Sequence, residues 1–244
     1  MMTRFNLTVQ RLAPLALKRA ILLYEGGDRT LATIHEVEAR EGKQPTILAG
    51  KALTARMSRW ILQAVSRNGI GVSFLPECAL MACGDRLMWY EPPQVRHLGF
   101  KQSTQFPARS PGTLSGTAPT PGVIFLVEGN SWRVMAYRGE GRPTPGTPLY
   151  RAPTLNTYQD GAICTGNVRT PSSTAAESIQ AWSDAFWHSN FTHANYEGVV
   201  DYEGDAPKLW KDALLSRFGT TFPDHVLKPY NQTLGEYLAE LARR

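Results

Sequence analysis

The sequence predicts an α+β fold built on antiparallel strands, and three observations carry that expectation. Strand-like segments follow one another at 86–90, 95–100, 123–127 and 132–137 instead of alternating with helices, which favours antiparallel pairing of neighbours. Two pairs of such segments flank short glycine-containing turns, the mark of a hairpin. Helical spacing of apolar residues is confined to segments before and after this meander and to the C-terminal part of the chain.

Taken in order, 17–24 and 29–37 flank Glu25-Gly26-Gly27-Asp28 and predict an N-terminal hairpin. In 53–65 the apolar residues Leu53, Met57, Trp60, Ile61, Ala64 and Val65 recur at helical spacing. Thr54 or Lys51 stands near the start and Asn68-Gly69 marks the end. The strands at 86–90 and 95–100 are separated by Pro92-Pro93. Residues 103–122 are rich in Ser, Thr, Pro and Gly and read as a long flexible surface loop. The clearest hairpin joins 123–127 (VIFLV) to 132–137 (WRVMAY) through Glu128-Gly129-Asn130-Ser131. An irregular segment, 154–168, then carries Cys164. A helix is expected over 174–187, with Thr174 and Glu177 as a capping box and Ile179, Trp182, Ala185 and Phe186 on its apolar face. Further helical pieces are expected at 207–217 and 233–244. The expected division is an N-terminal β-rich extension (1–50), a core (51–200) and a C-terminal helical tail (201–244).

Composition narrows the function classes. The 244 residues are 42% hydrophobic and 19% charged, enough apolar side chain to offset chain entropy. A net charge of +5 permits acidic partners, but Lys and Arg are scattered and no nucleic-acid motif is present, so nucleic-acid binding has only the basic balance and the Ser/Thr/Pro/Gly-rich stretch behind it. Three cysteines argue against a disulfide framework and for a reducing cytoplasm. Cys78 and Cys83 lack the further ligands a closed zinc site needs and read as buried structural thiols. His188, His193 and Asp184 lack the spacing of a standard metal pair. No phosphate-binding loop is present, so neither nucleotide, metal nor other cofactor is expected. No apolar run has membrane-spanning length.

The chemistry-bearing stretch is 153–164. A nucleophilic cysteine needs access, help in forming its thiolate, and donors aimed at the oxyanion of an attacked thioester. Asn156 can donate without titrating. Tyr158-Gln159-Asp160-Gly161 can turn the chain back and bring Asn156 beside Cys164. Asp160 is expected as a turn residue or as a group that orients an incoming amine. His188 or His193 could return near Cys164 as a base toward an amine, against a surface or capping role. The blander reading of the whole segment is a half-buried cysteine in a turn. Trp182, Phe186, Trp187 and Phe191 read as core packing.

These residues resemble a family. Ubiquitin-conjugating enzymes place an Asn eight residues before the active cysteine, which Gly-x-Ile precedes. Here Asn156, Gly161-Ala162-Ile163 and Cys164 stand in that register. Thr154 and Leu155 occupy the places of the family's His and Pro, while nucleophile and amide are in place. More narrowly, Leu149-Tyr150-Arg151-Ala152-Pro153, Asp160-Gly161, Cys164-Thr165-Gly166-Asn167 and 187–193 (WHSNFTH) resemble the prokaryotic group known as PRTRC system protein B. The resemblance covers about 53–187. It implies a conjugating-enzyme-like antiparallel meander flanked by helices, with the N-terminal hairpin added. It implies that Cys164 accepts the C-terminus of a ubiquitin-like protein as a thioester and that Asn156 stabilises the oxyanion. It also implies a ThiF-type activating enzyme and a JAB-type protease as partners in a plasmid-borne system. The alternative is a non-catalytic module that binds a ubiquitin-like protein or its activating enzyme, since one fold can serve several functions.

Overall fold

The structure, a computed structural model, describes residues 17–27, 29–38, 44–59, 61 and 75–243. The chain forms two compact units, Met1–Val72 and Ser73–Arg244. In the first, strands β1 (Arg19–Gly26), β2 (Arg29–Glu38) and β3 (Thr46–Ala52) form an antiparallel sheet in the order β1-β2-β3. The hairpin register runs from Arg19↔Glu36 to Gly26↔Arg29. β3 extends that sheet beyond the expected hairpin, so the break between units falls after 72 and not at 50. Residues 55–59 and 61 are helical, and the Thr54 hydroxyl accepts from the Met57 N–H at 3.3 Å, which identifies Thr54 as the cap. The rest of the expected 53–65 helix lies outside the described residues.

The second unit is built on a six-stranded sheet, ordered β12-β10-β9-β8-β5-β4. Its strands are β4 (Ala79–Cys83), β5 (Arg86–Glu91), β8 (Gly122–Glu128), β9 (Ser131–Tyr137), β10 (Pro148–Arg151) and β12 (Pro229–Thr233). A smaller sheet, ordered β11-β6-β7, holds β6 (Gln94–Phe100), β7 (Leu114–Thr120) and β11 (Asn190–Phe191). Every strand pair is antiparallel except β11 with β6. Pro92-Pro93 marks where the chain leaves one sheet for the other, because proline has no N–H to continue a ladder.

β8 reads as an apolar run, and β9 as one interrupted by Arg133, because both faces of the sheet are covered. Alternate residues Leu87, Trp89, Val123, Phe125, Val127, Trp132 and Val134 join a core that includes helix α1 (Ile179–Trp187) and helix α2 (Asp205–Leu214). The intervening residues Met88, Tyr90, Ile124, Leu126, Met135 and Tyr137 pack with Leu234, Tyr237 and Leu241 of helix α3 (Leu234–Leu241). Period-two alternation sends successive side chains to opposite faces, and helices bury both.

Four expectations are corrected. Residues 103–122 are not a free surface loop: they contain β7, which pairs with β6 from Gln94↔Thr120 to Phe100↔Leu114. Before it, the Ser103 and Ser110 hydroxyls, both buried, accept from the Phe106 and Ser103 N–H groups. β7 is an edge strand, where Pro119 is tolerated. Residues 201–244 are not a separate tail, because Leu209, Trp210, Phe222 and Leu227 lie in the main core and β12 pairs with β10. The Thr174–Glu177 capping box does not form: a 3₁₀ turn (Ala176–Ser178) precedes α1, and the Thr174 hydroxyl donates to the Gly84 carbonyl. A capping box does form at α3, between Thr233 and Glu236. Finally, Cys83 is exposed at the β4–β5 turn and Cys78 is only partly buried.

Candidate functional site

Beyond β10 the chain enters a buried run, Ala152 to Leu155. Two bonds hold it. The Trp210 indole donates to the Pro153 carbonyl at 2.9 Å, and the Thr154 and Thr157 hydroxyls bond at 2.9 Å. Thr154, 3% exposed, thus gives the loop an internal anchor.

The next nine residues, 156–164, form a small two-armed turn. Thr157 bridges Ile163, the Tyr158 N–H donates to the Ala162 carbonyl at 2.8 Å, and the Cys164 N–H donates to the Asn156 carbonyl at 2.7 Å. The second arm docks along the start of β9: Val134 N–H donates to Gly161 O at 2.9 Å, and Ile163 N–H to Trp132 O at 2.8 Å. Asp160 Oδ1 accepts from the Ala162 N–H at 3.1 Å, and its carbonyl accepts from the Tyr230 hydroxyl at 3.0 Å. Asp160 is therefore a turn residue in this geometry.

Gly161 sits at φ +81°, and a Cβ there would stand 2.9 Å from the Val134 carbonyl oxygen. Gly161→Ala should therefore destabilise the second unit by about 1–3 kcal/mol, combining left-handed backbone strain with a backbone contact that cannot yield. A lowered urea midpoint at unchanged slope checks this; an unchanged midpoint refutes it.

Cys164 is partly exposed. Its N–H pairs with the Asn156 carbonyl, so the two residues stand opposite each other, as the sequence suggests. The Asn156 side chain is turned toward 190–193. Its Oδ1 accepts from the Thr192 hydroxyl at 2.7 Å, the Thr192 N–H at 3.0 Å and the His193 N–H at 3.4 Å, and its Nδ2 donates to the Asn190 carbonyl at 3.3 Å. One Nδ2 hydrogen remains. Asn156 has φ +59°, a conformation that asparagine tolerates better than most residues.

His193 joins the same cluster through Asn156. Its carbonyl accepts from the Asn156 N–H at 2.9 Å, its Nδ1 lies 3.0 Å from the Thr192 hydroxyl, and its ring packs 4.7 Å from that of Phe106. Burial and then the Arg109 guanidinium hold its pKa below the ordinary histidine value. The ring is therefore largely neutral at pH 7 and can accept a proton. His188 is exposed at the end of α1. Phe106 and Arg109, from the stretch expected to be a free loop, thus help wall this side of the site.

Sequence reading treated Tyr158 as a turn residue only. It is half exposed, and the neighbouring Cys164 thiol holds its phenol pKa above the ordinary value. Position could have found it, since Tyr158 lies between Asn156 and Cys164 in the same short turn. A polar cleft of about 420 Å³ opens beside the turn, lined by Arg133, Asp160, Tyr230, Asn231, Gln232 and Glu240. No cluster of three or more metal-ligating side chains occurs among the described residues.

The family model for Prokaryotic E2 family D matches residues 54–230, from the helical segment of the first unit through the turn to β12. The chain belongs to this family. As a prokaryotic E2-like protein it carries a conjugating-enzyme-like role, and that role implies engagement with a ubiquitin-like protein or an activating enzyme in general. No curated protein and no solved structure matches the chain. No helix among the described residues is long and apolar enough to cross a membrane.

Proposed function

We propose that this prokaryotic E2-like protein accepts the C-terminus of a ubiquitin-like protein as a thioester on Cys164 and passes it to an acceptor. The observation that carries the reading is the pairing of a partly exposed Cys164 with Asn156 across a turn anchored on β9. The thiolate attacks the activated C-terminal carbonyl, the activating enzyme's thiolate leaves, and the acyl group stays on Cys164. An acceptor amine then attacks the thioester carbonyl. The remaining Nδ2 hydrogen of Asn156 steadies the oxyanion, the C–S bond breaks, and the amine proton passes to solvent or to a neutral base such as His193. Asp160, exposed at the turn, orients the amine with the carboxylate oxygen that the Ala162 N–H does not take. A ThiF-type enzyme supplies the activated ubiquitin-like protein, a JAB-type protease reverses the product, and the setting is the PRTRC system.

Incubation of the chain with its activating enzyme, ubiquitin-like protein and ATP should give an adduct that reducing agent removes. Absence of the adduct with all components active overturns the reading. Asn156→Gly keeps the left-handed backbone open and deletes the amide. It should charge normally and discharge onto amines about a hundredfold more slowly, the usual cost of one oxyanion donor. Equal discharge rates remove Asn156 from the mechanism.

A second reading, a non-catalytic module for a ubiquitin-like protein, is favoured by one observation: most of the Asn156 amide is committed to 190–193. Alkylation separates the two, because an inert Cys164 fits the module and a reactive one fits the enzyme.

A further inference from the structure

The Thr192 hydroxyl stands between the amide and the imidazole of the candidate site, 2.7 Å from Asn156 Oδ1 and 3.0 Å from His193 Nδ1. The hydrogens along this chain are fixed by what each atom can do. The backbone identifies Asn156 Oδ1, because that atom accepts from the Thr192 N–H at 3.0 Å and the His193 N–H at 3.4 Å, and an amide NH₂ could not. Two oxygens 2.7 Å apart need a proton between them, and Oδ1 carries none, so the Thr192 hydroxyl donates to it. With that hydrogen committed, the hydroxyl faces His193 with lone pairs alone. A bond at 3.0 Å then requires the proton on Nδ1, which leaves the free lone pair on Nε2.

The backbone that presents these atoms is held independently of the hydroxyl. β11 pairs with β6, the Lys101 N–H donates to the Phe191 carbonyl at 2.9 Å, and the Ala194 N–H donates to the Arg109 carbonyl at 3.0 Å. The Arg109 guanidinium, which acts on the ring, is itself paired with Glu197 at 2.8 Å.

We propose that Thr192 is a positioning residue that holds His193 as its Nδ1–H tautomer, so that Nε2 is the atom that takes the proton of the attacking amine. The inference rests on the transfer from Cys164 to an amine proposed above. As the amine nitrogen bonds to the thioester carbonyl carbon, one N–H proton passes to Nε2. The C–S bond breaks and its electron pair stays on the Cys164 sulfur. The imidazolium so formed keeps its Nδ1–H on the Thr192 hydroxyl and gives the Nε2 proton to solvent.

Nitrogen NMR of the full chain with labelled histidine reads the tautomer directly at a pH where the ring is neutral, because a protonated ring nitrogen and a bare one resonate far apart. His193→Gln assigns the signal. The wild-type chain should carry the proton on Nδ1, and this decides the first half of the proposal without any variant. Thr192→Val keeps the branched shape, deletes the hydroxyl and leaves Asn156 its two backbone donors. Its His193 should revert toward the Nε2–H form that histidine prefers in water, and Thr192→Ser should restore Nδ1–H. Single-turnover discharge of the charged chain onto an amine should be about five- to tenfold slower in Thr192→Val, the weight of one neutral hydrogen bond, and near wild type in Thr192→Ser. A wild-type ring with its proton on Nε2, held for instance by Asn195, whose side chain also acts on the ring, overturns the proposal. So does an unaltered tautomer, or unaltered discharge, in Thr192→Val. An Nδ1–H tautomer that responds to Thr192→Val in a chain that forms no adduct would instead overturn the transfer function, and with it the role of Nε2, while the Thr192–His193 link stands.

Discussion

Cys164→Ala is expected to abolish the thiol-sensitive adduct, and Cys164→Ser to replace it with one that survives reducing agent. Alanine has no nucleophilic atom, so the loss is complete. Serine retains a nucleophile in the same place, but its hydroxyl ionises far less readily than a thiol and attacks slowly without a strong base. An oxygen ester does not exchange with added thiols, so the chemistry of the adduct reports which atom carries the acyl group. The other two cysteines supply the controls. Cys83 is exposed at the β4–β5 turn, and Cys83→Ala should leave charging unchanged. Cys78 is partly buried, and burial pushes its thiol pKa up, which makes it a poor competitor at neutral pH. A persistent thiol-sensitive adduct in Cys164→Ala would place the nucleophile elsewhere.

The second large effect is on stability. Glu91→Ala should cost the second unit about 3 kcal/mol, the lower end of the range for breaking a buried ion pair by removing one partner, since this pair is largely but not fully buried. The Glu91 carboxylate is the meeting point of β5, β6 and α1. It pairs with Arg96 and accepts from Ser183, from the Trp187 indole at 2.8 Å and from the Trp89 indole at 3.3 Å. The Arg96 guanidinium lies over the Trp187 ring at 4.3 Å, and its burial already lowers its pKa despite the pairing. Removal of the carboxylate leaves a largely buried cation and two indole N–H groups with fewer acceptors. Because domains of this size are stable by only about 5–15 kcal/mol, the loss should show as a large drop in denaturant midpoint. Glu91→Gln keeps the shape but not the charge and should fall between the two. A shift below about 1 kcal/mol in Glu91→Ala would show the network to be incidental.

Much of the strand order was legible because the signals are local. The Glu128–Ser131 turn and the apolar runs on either side of it are adjacent in sequence, and backbone pairing follows directly from them. The Asn156–Cys164 pairing was legible for the same reason: Gly161 permits the reversal within eight residues. Residues 103–122 misled because Ser, Thr and Pro suit both loops and edge strands. Only the presence of β6 alongside turned 114–120 into a strand. The 174–177 capping signal failed in the same way, overridden by the Gly84 carbonyl from a distant turn.

The sequence by itself determined that Cys164 stands in a turn with an amide on the neighbouring arm, since the eight-residue spacing and the turn glycine are properties of a few consecutive residues. Only the tertiary structure decided what that amide holds and what walls the site. Asn156 finds its partners at 190–193 and His193 finds its neighbour at Phe106, both far along the chain. A local pattern carries no record of contacts that form when sheets and helices pack together.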